Sequence, residues 1–503
     1  MLYEIDSWSG IEFNGFEYTA HRPISSQLAP RLNSAFRRQS TRAFHPARQS
    51  RHNAALHFVN GHPVKSLHPS SALRPSACPG LLRVVQALDG GICRIKLDGG
   101  SLSADQAIAV ADAAERYAGG VIEATNRGNL QIRGIGEESA ALIKSLLTAG
   151  LGPVTAAGDD VRNLMLSPGA GIDRQMRIDT WPLARQILYS LQTDPRFHQL
   201  SAKFAVQLDG GEALAMLEHR HDLWLSATEQ DGEPLLAFGL AGCPSDAPAA
   251  AVLLQDGHAL VVAVLELFLD LARADQTRMR HLLSEHPLSS LVQQLAERVP
   301  LRSLAHWQRG PSVGALHLGV HPQRQEGFAY VGAMPPLGRL SPAMLSGAAR
   351  LAESFGDASL RLTPWQSLLL PNIRHEEAAV VLGQLHALGL LTDTGDPLTR
   401  IVACTGSAGC AKGMADTKSD ARQLAAFLHD SPRQEQIHLS GCSRSCACAH
   451  AAPVTLLATM NGHYDLYFRE AGQPGFGALH ARNLTIEAVA ALLDARSRSP
   501  FDA

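Results

Sequence analysis

VIEATNRGNLQI (Val121–Ile132) and SLRLTPWQSLLL (Ser359–Leu370) read as one passage written twice. Each has alternating apolar residues at its ends and a polar turn in the middle, the pattern of two short strands around a tight connection. They stand 238 residues apart, and the same offset holds on both sides. Upstream, ADAAERYAGG (Ala111–Gly120) falls on ARLAESFGDA (Ala349–Ala358), so that Glu115 meets Glu353 and Tyr117 meets Phe355. Leu102-Ser103 falls on Leu340-Ser341. Downstream, VRNLMLSPGAG (Val161–Gly171) falls on TRIVACTGSAG (Thr399–Gly409) without a gap. Agreement over this length is a long-range duplication, not a stack of short repeats. The expected fold class is α+β, with α/β lobes related by pseudo-twofold symmetry. An interface between twin lobes is a natural place for a large ligand.

Within the first copy the local plan is regular. GGICRIKL (Gly90–Leu97) alternates like a strand, and Leu102–Tyr117 has apolar residues at helical spacing behind a candidate N-cap, Ser103. Gly119-Gly120 ends that helix, two strands flank a turn at Asn126–Asn129, and a second helix is expected over Ala140–Ala149.

The chain has 503 residues, enough for two to four domains. Its 45% hydrophobic and 18% charged residues are those of a globular protein, and a net charge of -3 excludes a chain-wide nucleic-acid or membrane footprint. The most apolar run, His258–Ala272, carries Glu266 and Asp270 four residues apart and fits an amphipathic helix rather than a membrane span. No apolar segment of signal-peptide length opens the chain. These features predict a cytoplasmic protein without nucleic-acid or membrane partners. Residues 1–75 differ: no Asp or Glu lies between Tyr18 and Leu88, and Arg, His, Ser and Pro abound, so a basic, disordered tail is expected there.

Five of the eight cysteines lie near the C-terminus. ACTGSAGC gives Cys404-x5-Cys410, LSGCSRSC gives Cys442-x3-Cys446, and 31 residues separate the pairs. Clustering of this kind in a long chain points to metal or Fe–S ligation rather than disulfides. Four soft thiolates suit a [4Fe–4S] cluster, and the small residues Gly406–Gly409 let backbone N–H groups approach its sulfides. Zinc is the rival, although its knuckles use shorter spacings; buried free thiols are the third reading. Cys448 follows closely and competes with Cys446 for the fourth position. Leu166 stands where the second copy has Cys404, so one lobe carries the cysteines and the other must supply something else. Cys78, Cys93 and Cys243 read as small buried residues or carry no assigned role.

Cys-x5-Cys followed by Cys-x3-Cys at the end of a duplicated α/β chain resembles the nitrite/sulfite reductase hemoprotein family over roughly residues 76–480. The resemblance implies an internal duplication with two ferredoxin-like half-domains and two reductase-type lobes. It places half-domain 1 at 76–150, a lobe without cluster cysteines at 151–300, half-domain 2 at 301–385 and the [4Fe–4S] lobe at 386–503. It implies cluster ligation by Cys404, Cys410, Cys442 and Cys446. CPGLLRVVQALDGGICRIKLDGG (Cys78–Gly100), VIEATNRGNLQIRG and HLSGC (His438–Cys442) look, more narrowly, like the precorrin-3B synthase branch. That branch implies O2-dependent hydroxylation of precorrin-3A at C20 with γ-lactone formation, in cobalamin synthesis.

Carried over position by position, the family's anion-binding arginines fall at Arg127 and Arg162 and its first lysine at Lys203, which makes these the candidate substrate-binding residues. Its second lysine falls at Ala205, a departure that removes one cation from a site reducing a small oxyanion. Arg83, Arg94, Lys96 and Arg133 add to a local basic excess suited to a polycarboxylate ligand. Oxygen chemistry implies a second iron centre besides the cluster, either mononuclear non-haem iron or, in a reductase, siroheme. Its ligands and the catalytic residues are not named by the sequence; His438 and His450 are among many histidines. GIGEES and GAGID fall short of a dinucleotide fingerprint, so electrons are expected from an NADH-linked reductase or ferredoxin. Two alternatives stand beside the synthase: a siroheme sulfite or nitrite reductase, and an Fe–S electron carrier or tetrapyrrole-binding module without turnover of its own.

Overall fold

The structure is a computed structural model that describes residues 78–498, apart from 305, 430–434, 449–451, 471–472 and 474. The tail expected over 1–75 and the candidate His450 lie outside the described residues.

The duplication is visible strand by strand. Two five-stranded antiparallel sheets have matching orders. One runs Val85–Ala87, Gly90–Ile95, Leu130–Ile135, Val121–Ala124 and then Arg339–Leu340; the other runs Gly319–Pro322, Phe328–Ala333, Leu368–Arg374, Ser359–Leu362 and then Ser101–Ser103. The last strand of each belongs to the opposite copy: Leu340 pairs with Ile122, and Leu102 pairs with Leu360. Each half-domain therefore completes the other, and their helices share one continuous core containing Ala107, Ala114, Ile122, Ile132, Ala348, Leu360 and Leu370. Alanine-rich helices permit this close approach. Ala104–Tyr117 packs on Pro342–Phe355, and Ala107, Ala111, Ala114, Ala348 and Ala352 are buried in the core they share. Both begin at a serine N-cap; Ser103 accepts the Gln106 N–H and Ser341 that of Met344.

The two lobes repeat a different plan. In the first, Leu164–Leu166, Val206–Asp209 and His221–Gln230 are parallel, followed by antiparallel Glu233–Gly242 and Ala250–Leu253. In the second, Ile401–Ala403, Ile437–Ser440 and Val454–Met460 are parallel, followed by antiparallel His463–Phe468 and Ala478–Leu484. The apolar run near residue 260 forms the helix Gly257–Leu271, packed into the first lobe's core through Leu260, Val264 and Phe268. No helix among the described residues is long and apolar enough to cross a membrane.

Candidate functional site

The cysteines lie where parallel strands deliver them. Cys404 follows Ile401–Ala403 directly, and Cys442 lies two residues beyond Ile437–Ser440, so both pairs gather at the carboxyl ends of adjacent parallel strands. The loop after Cys404 turns through Gly406, whose φ of 68° is left-handed. Glycines also line the approach: a Cβ on Gly441 would stand 3.3 Å from Gly413 Cα and 3.4 Å from both Cys404 Sγ and Gly406 Cα. Gly441 N–H donates to Cys404 Sγ at 3.2 Å. Burial pushes the Cys446 thiol up, and the nearby Cys442, Cys404 and Cys410 sulfurs push it further. Four soft thiolate donors around a glycine cradle, with an N–H on one sulfur, fit a cationic iron cluster. Among the described residues no three His, Cys, Asp or Glu side chains converge as on a single metal ion. Cys448 is buried in a small apolar cluster with Val402 and Ala452.

The hairpin turn between Val121–Ala124 and Leu130–Ile135 reaches this loop. Thr125 Oγ1 accepts the Asn129 N–H at 3.1 Å, and Asn129 Oδ1 accepts that of Leu97 at 2.8 Å, so the turn is fixed from inside. Asn126 Nδ2 donates to the carbonyls of Ala447 at 3.2 Å and Cys446 at 3.4 Å. Arg127, the next residue, makes no side-chain hydrogen bond or ion pair among the described residues. Burial lowers its guanidinium to about 10, and Arg278 and Arg94 add to the effect while Asp222 and Cys78 oppose it. Arg127 is thus held between the cysteine loop and the start of His221–Gln230 in the first lobe.

That start is a tight polar knot. Asp222 is buried and accepts Arg278 Nε on both oxygens at 2.9 Å, Met279 N–H at 2.8 Å and Ala205 N–H at 3.0 Å. His221 Nδ1 donates to the His219 carbonyl at 2.7 Å, which leaves Nε2 as a buried lone pair without a donor among the described residues. Burial, with Arg127 and Arg278 nearby, lowers this imidazole to about 3, so it is neutral in use.

The other expected cations divide. Lys203 is exposed and its ammonium has no partner among the described residues. Arg162 is buried and donates to the Leu151 carbonyl at 3.0 Å and to Asp159 at 3.5 Å, leaving only Nε unbonded. Three of the supporting cations have partners within the fold. Arg133 chelates Asp89 at 2.9 Å, Lys96 donates to the carbonyls of Asp159 and Asp160 at 2.6 and 2.8 Å, and Arg83 pairs with Asp160. Arg94 stays beside Cys446 and donates to Gln131 at 3.1 Å. Sequence reasoning missed Arg278 and His221. The run His219-x-His221-Asp222 was a visible titratable cluster, whereas Arg278 has no local signal.

The pseudo-equivalent site is closed. Trp365 stands at the position of Arg127 and stacks on His317 with ring centroids 5.1 Å apart. Ile172, at the position of Cys410, packs with Leu214, Tyr330 and Leu369 beside Trp365. Arg309, from the segment linking the two copies, chelates Asp209 at 2.7 and 3.1 Å beyond the end of Val206–Asp209. Among the described residues, apolar filling and an internal ion pair occupy the pseudo-equivalent position.

Known proteins agree with this architecture. The nitrite/sulfite reductase ferredoxin-like half domain matches residues 86–150 and 321–388, and the nitrite and sulphite reductase 4Fe-4S domain matches residues 157–302. The chloroplastic ferredoxin–nitrite reductase of Zea mays is 31% identical over 406 residues, covering 74% of this chain and 70% of that protein. This chain belongs to the nitrite/sulfite reductase family. The Synechococcus elongatus ferredoxin–nitrite reductase is 30% identical, covering 73% of this chain and 76% of its own. A protein named precorrin-3B synthase from Sinorhizobium is 28% identical, covering 78% of this chain and 83% of its own. The solved Mycobacterium tuberculosis NirA protein shares the fold, with a TM-score of 0.68, 22% identity and 82% coverage of each chain. The family's oxidoreductases use a [4Fe–4S] cluster and siroheme. The 4Fe-4S match falls on the lobe whose cysteine positions are Leu166 and Ile172; the cysteines themselves lie in the second lobe.

Proposed function

We propose that this protein hydroxylates precorrin-3A at C20 with O2 and closes the γ-lactone, the reaction of precorrin-3B synthase. The observation that carries this reading is Ala205. It is buried, its N–H is spent on Asp222, and no lysine stands where the family's second one would meet a small oxyanion. The site keeps fewer cations for a small anion than a reductase of the family pattern, while a polycarboxylate ring needs only well-separated ones. Cys404, Cys410, Cys442 and Cys446 are the ligands of a [4Fe–4S] cluster that passes electrons singly. Of the candidate cations Arg127, Arg162 and Lys203, Arg127 and Lys203 are the ones met by ligand carboxylates, Arg127 being the better placed beside the cysteine loop, whereas Arg162 is turned inward onto Leu151 and Asp159. Oxygen activation would come from a second iron, for which no three His, Cys, Asp or Glu side chains converge among the described residues. The electron donor is a ferredoxin or an NADH-linked reductase, in keeping with relatives named as ferredoxin-dependent.

Arg278 favours a second reading, siroheme-dependent nitrite or sulfite reduction. Asp222 holds its guanidinium near Arg127, and a cation there partly offsets Ala205. One experiment separates the two. Protein prepared without air is reduced and mixed with precorrin-3A and labelled O2, and in parallel with nitrite and sulfite. The synthase reading expects one labelled oxygen in the ring product. Anion-dependent electron uptake without an oxygenated ring product overturns it.

A further inference from the structure

Behind the Cys404–Cys410 loop, three cations meet two carboxylates among the described residues. Glu123, on Val121–Ala124, faces three cations: Arg339 Nε at 3.1 Å, Lys418 Nζ at 3.8 Å and Arg133 at 3.9 Å. Arg133 is shared with Asp89 at 2.9 Å. Three cations thus meet two carboxylates, and Glu123, Arg133 and Lys418 are all buried. An excess charge without a counter-charge is costly away from water. The cysteine loop lies against this cluster and is a source of negative charge, Cys404 acting on Lys418. Gly409, inside that loop, accepts Arg133 through its carbonyl at 3.2 Å, and Thr405 Oγ1 reaches Glu123 at 3.5 Å.

Lys418 is held beside the first cysteine. Its ammonium donates to the Leu337 carbonyl at 2.6 Å and to the carbonyl of Ala403, the residue before Cys404, at 3.3 Å. Its neighbour Thr417 donates to the Cys404 carbonyl at 2.7 Å, and the same hydroxyl lies 3.5 Å from Cys404 Sγ. The ammonium is therefore locked behind Cys404 by two carbonyls and cannot swing to solvent. Burial lowers its pKa, and Glu123 and Cys404 work against that.

We propose that Lys418 sets the reduction potential of the [4Fe–4S] cluster, acting through Cys404 as a fixed buried counter-charge. The proposal rests on the cluster reading above. Each one-electron reduction, with the electron supplied by the external donor, adds a negative charge to the cluster. A cation fixed nearby stabilises the reduced form more than the oxidised one and raises the potential. Lys418 is a positioning residue and touches no substrate.

The test is an EPR-monitored redox titration of the anaerobically prepared full chain, wild type beside Lys418→Met, Lys418→Arg and Glu123→Gln. Lys418→Met should keep the cluster signal while its reduction equilibrium falls about tenfold, a midpoint about 59 mV more negative. Lys418→Arg should titrate like the wild type. An unchanged midpoint in Lys418→Met, or an equal shift in Lys418→Arg, overturns the assignment. If Lys418→Met holds no cluster, Glu123→Gln decides. Removing that carboxylate should move the midpoint positive, and an unmoved or more negative midpoint overturns the proposal. A wild-type chain without a cluster signal refutes the cluster reading instead.

Discussion

Gly406→Ala separates a cradle built for a cluster from an ordinary loop. Gly406 sits at φ 68°, where an L side chain costs about 1–2 kcal/mol. Its new Cβ would also lie 2.6 Å from Thr417 N and 2.7 Å from Thr417 Oγ1, and would strike the Ala415 carbonyl. Two of these three are backbone atoms, so the loop itself must shift, and overpacking of this kind costs about 1–3 kcal/mol. The expected loss is about 2–5 kcal/mol in total. Gly462 provides the control. Its φ is also 68°, but a Cβ there meets nothing within 4 Å, so Gly462→Ala carries the left-handed cost alone. Thr417 is bonded to the Cys404 carbonyl, so the displacement reaches a cysteine. Anaerobic urea unfolding followed by circular dichroism, with iron counted on the same samples, reads both effects. Gly406→Ala should be less stable than Gly462→Ala and hold less iron. Equal stability and full iron in the two variants would falsify the claim that this loop is packed around its cysteines.

Cys446→Ser should abolish the cluster absorbance while Cys448→Ser leaves it, as Cys448 is buried with Val402 and Ala452; an intact cluster in Cys446→Ser transfers the role to Cys448. Asp222→Ala strands Arg278 and two backbone N–H groups and should cost about 3–5 kcal/mol in urea unfolding. Adding Arg278→Met should recover part of that loss, and strictly additive losses contradict the coupling. Burial lowers His221 to about 3 and His317 to about 4, against about 6.5 when unfolded. The unfolded chain therefore binds more protons between those values, so this contribution is complete above about pH 6.5 and drains as pH falls toward 4. Each histidine contributes a slope of at most about 1.4 kcal/mol per pH unit. Urea unfolding at pH 7.5, 6 and 5 checks the sign, and stability that rises on acidification contradicts it.

The duplication was legible because it preserves two periods at one offset, and the half-domain and lobe sheets follow from it. The exchange of Ser101–Ser103 and Arg339–Leu340 between half-domains was not, since strands of three and two residues carry no pattern. The cysteine spacing marked the loops, and the aligned text already set Trp365 against Arg127. Only packing reveals that Trp365, Ile172 and Leu214 close the second site. Basic residues illustrate the limit of sequence reading. Arg133 and Arg127 look alike in the sequence, yet one chelates Asp89 inside the fold and the other makes no side-chain bond among the described residues beside the cysteine loop. Partners such as Asp222 for Arg278, 56 residues apart, or Glu123 for Lys418 come from distant strands and have no local signature.

Metal and sulfide analysis of the full chain purified without air tests the account most directly. Four thiolates holding an iron–sulfur cube predict about four acid-labile sulfides per chain with at least as many irons, and an EPR signal on reduction. Zinc bound at those loops, or no metal at all, contradicts it.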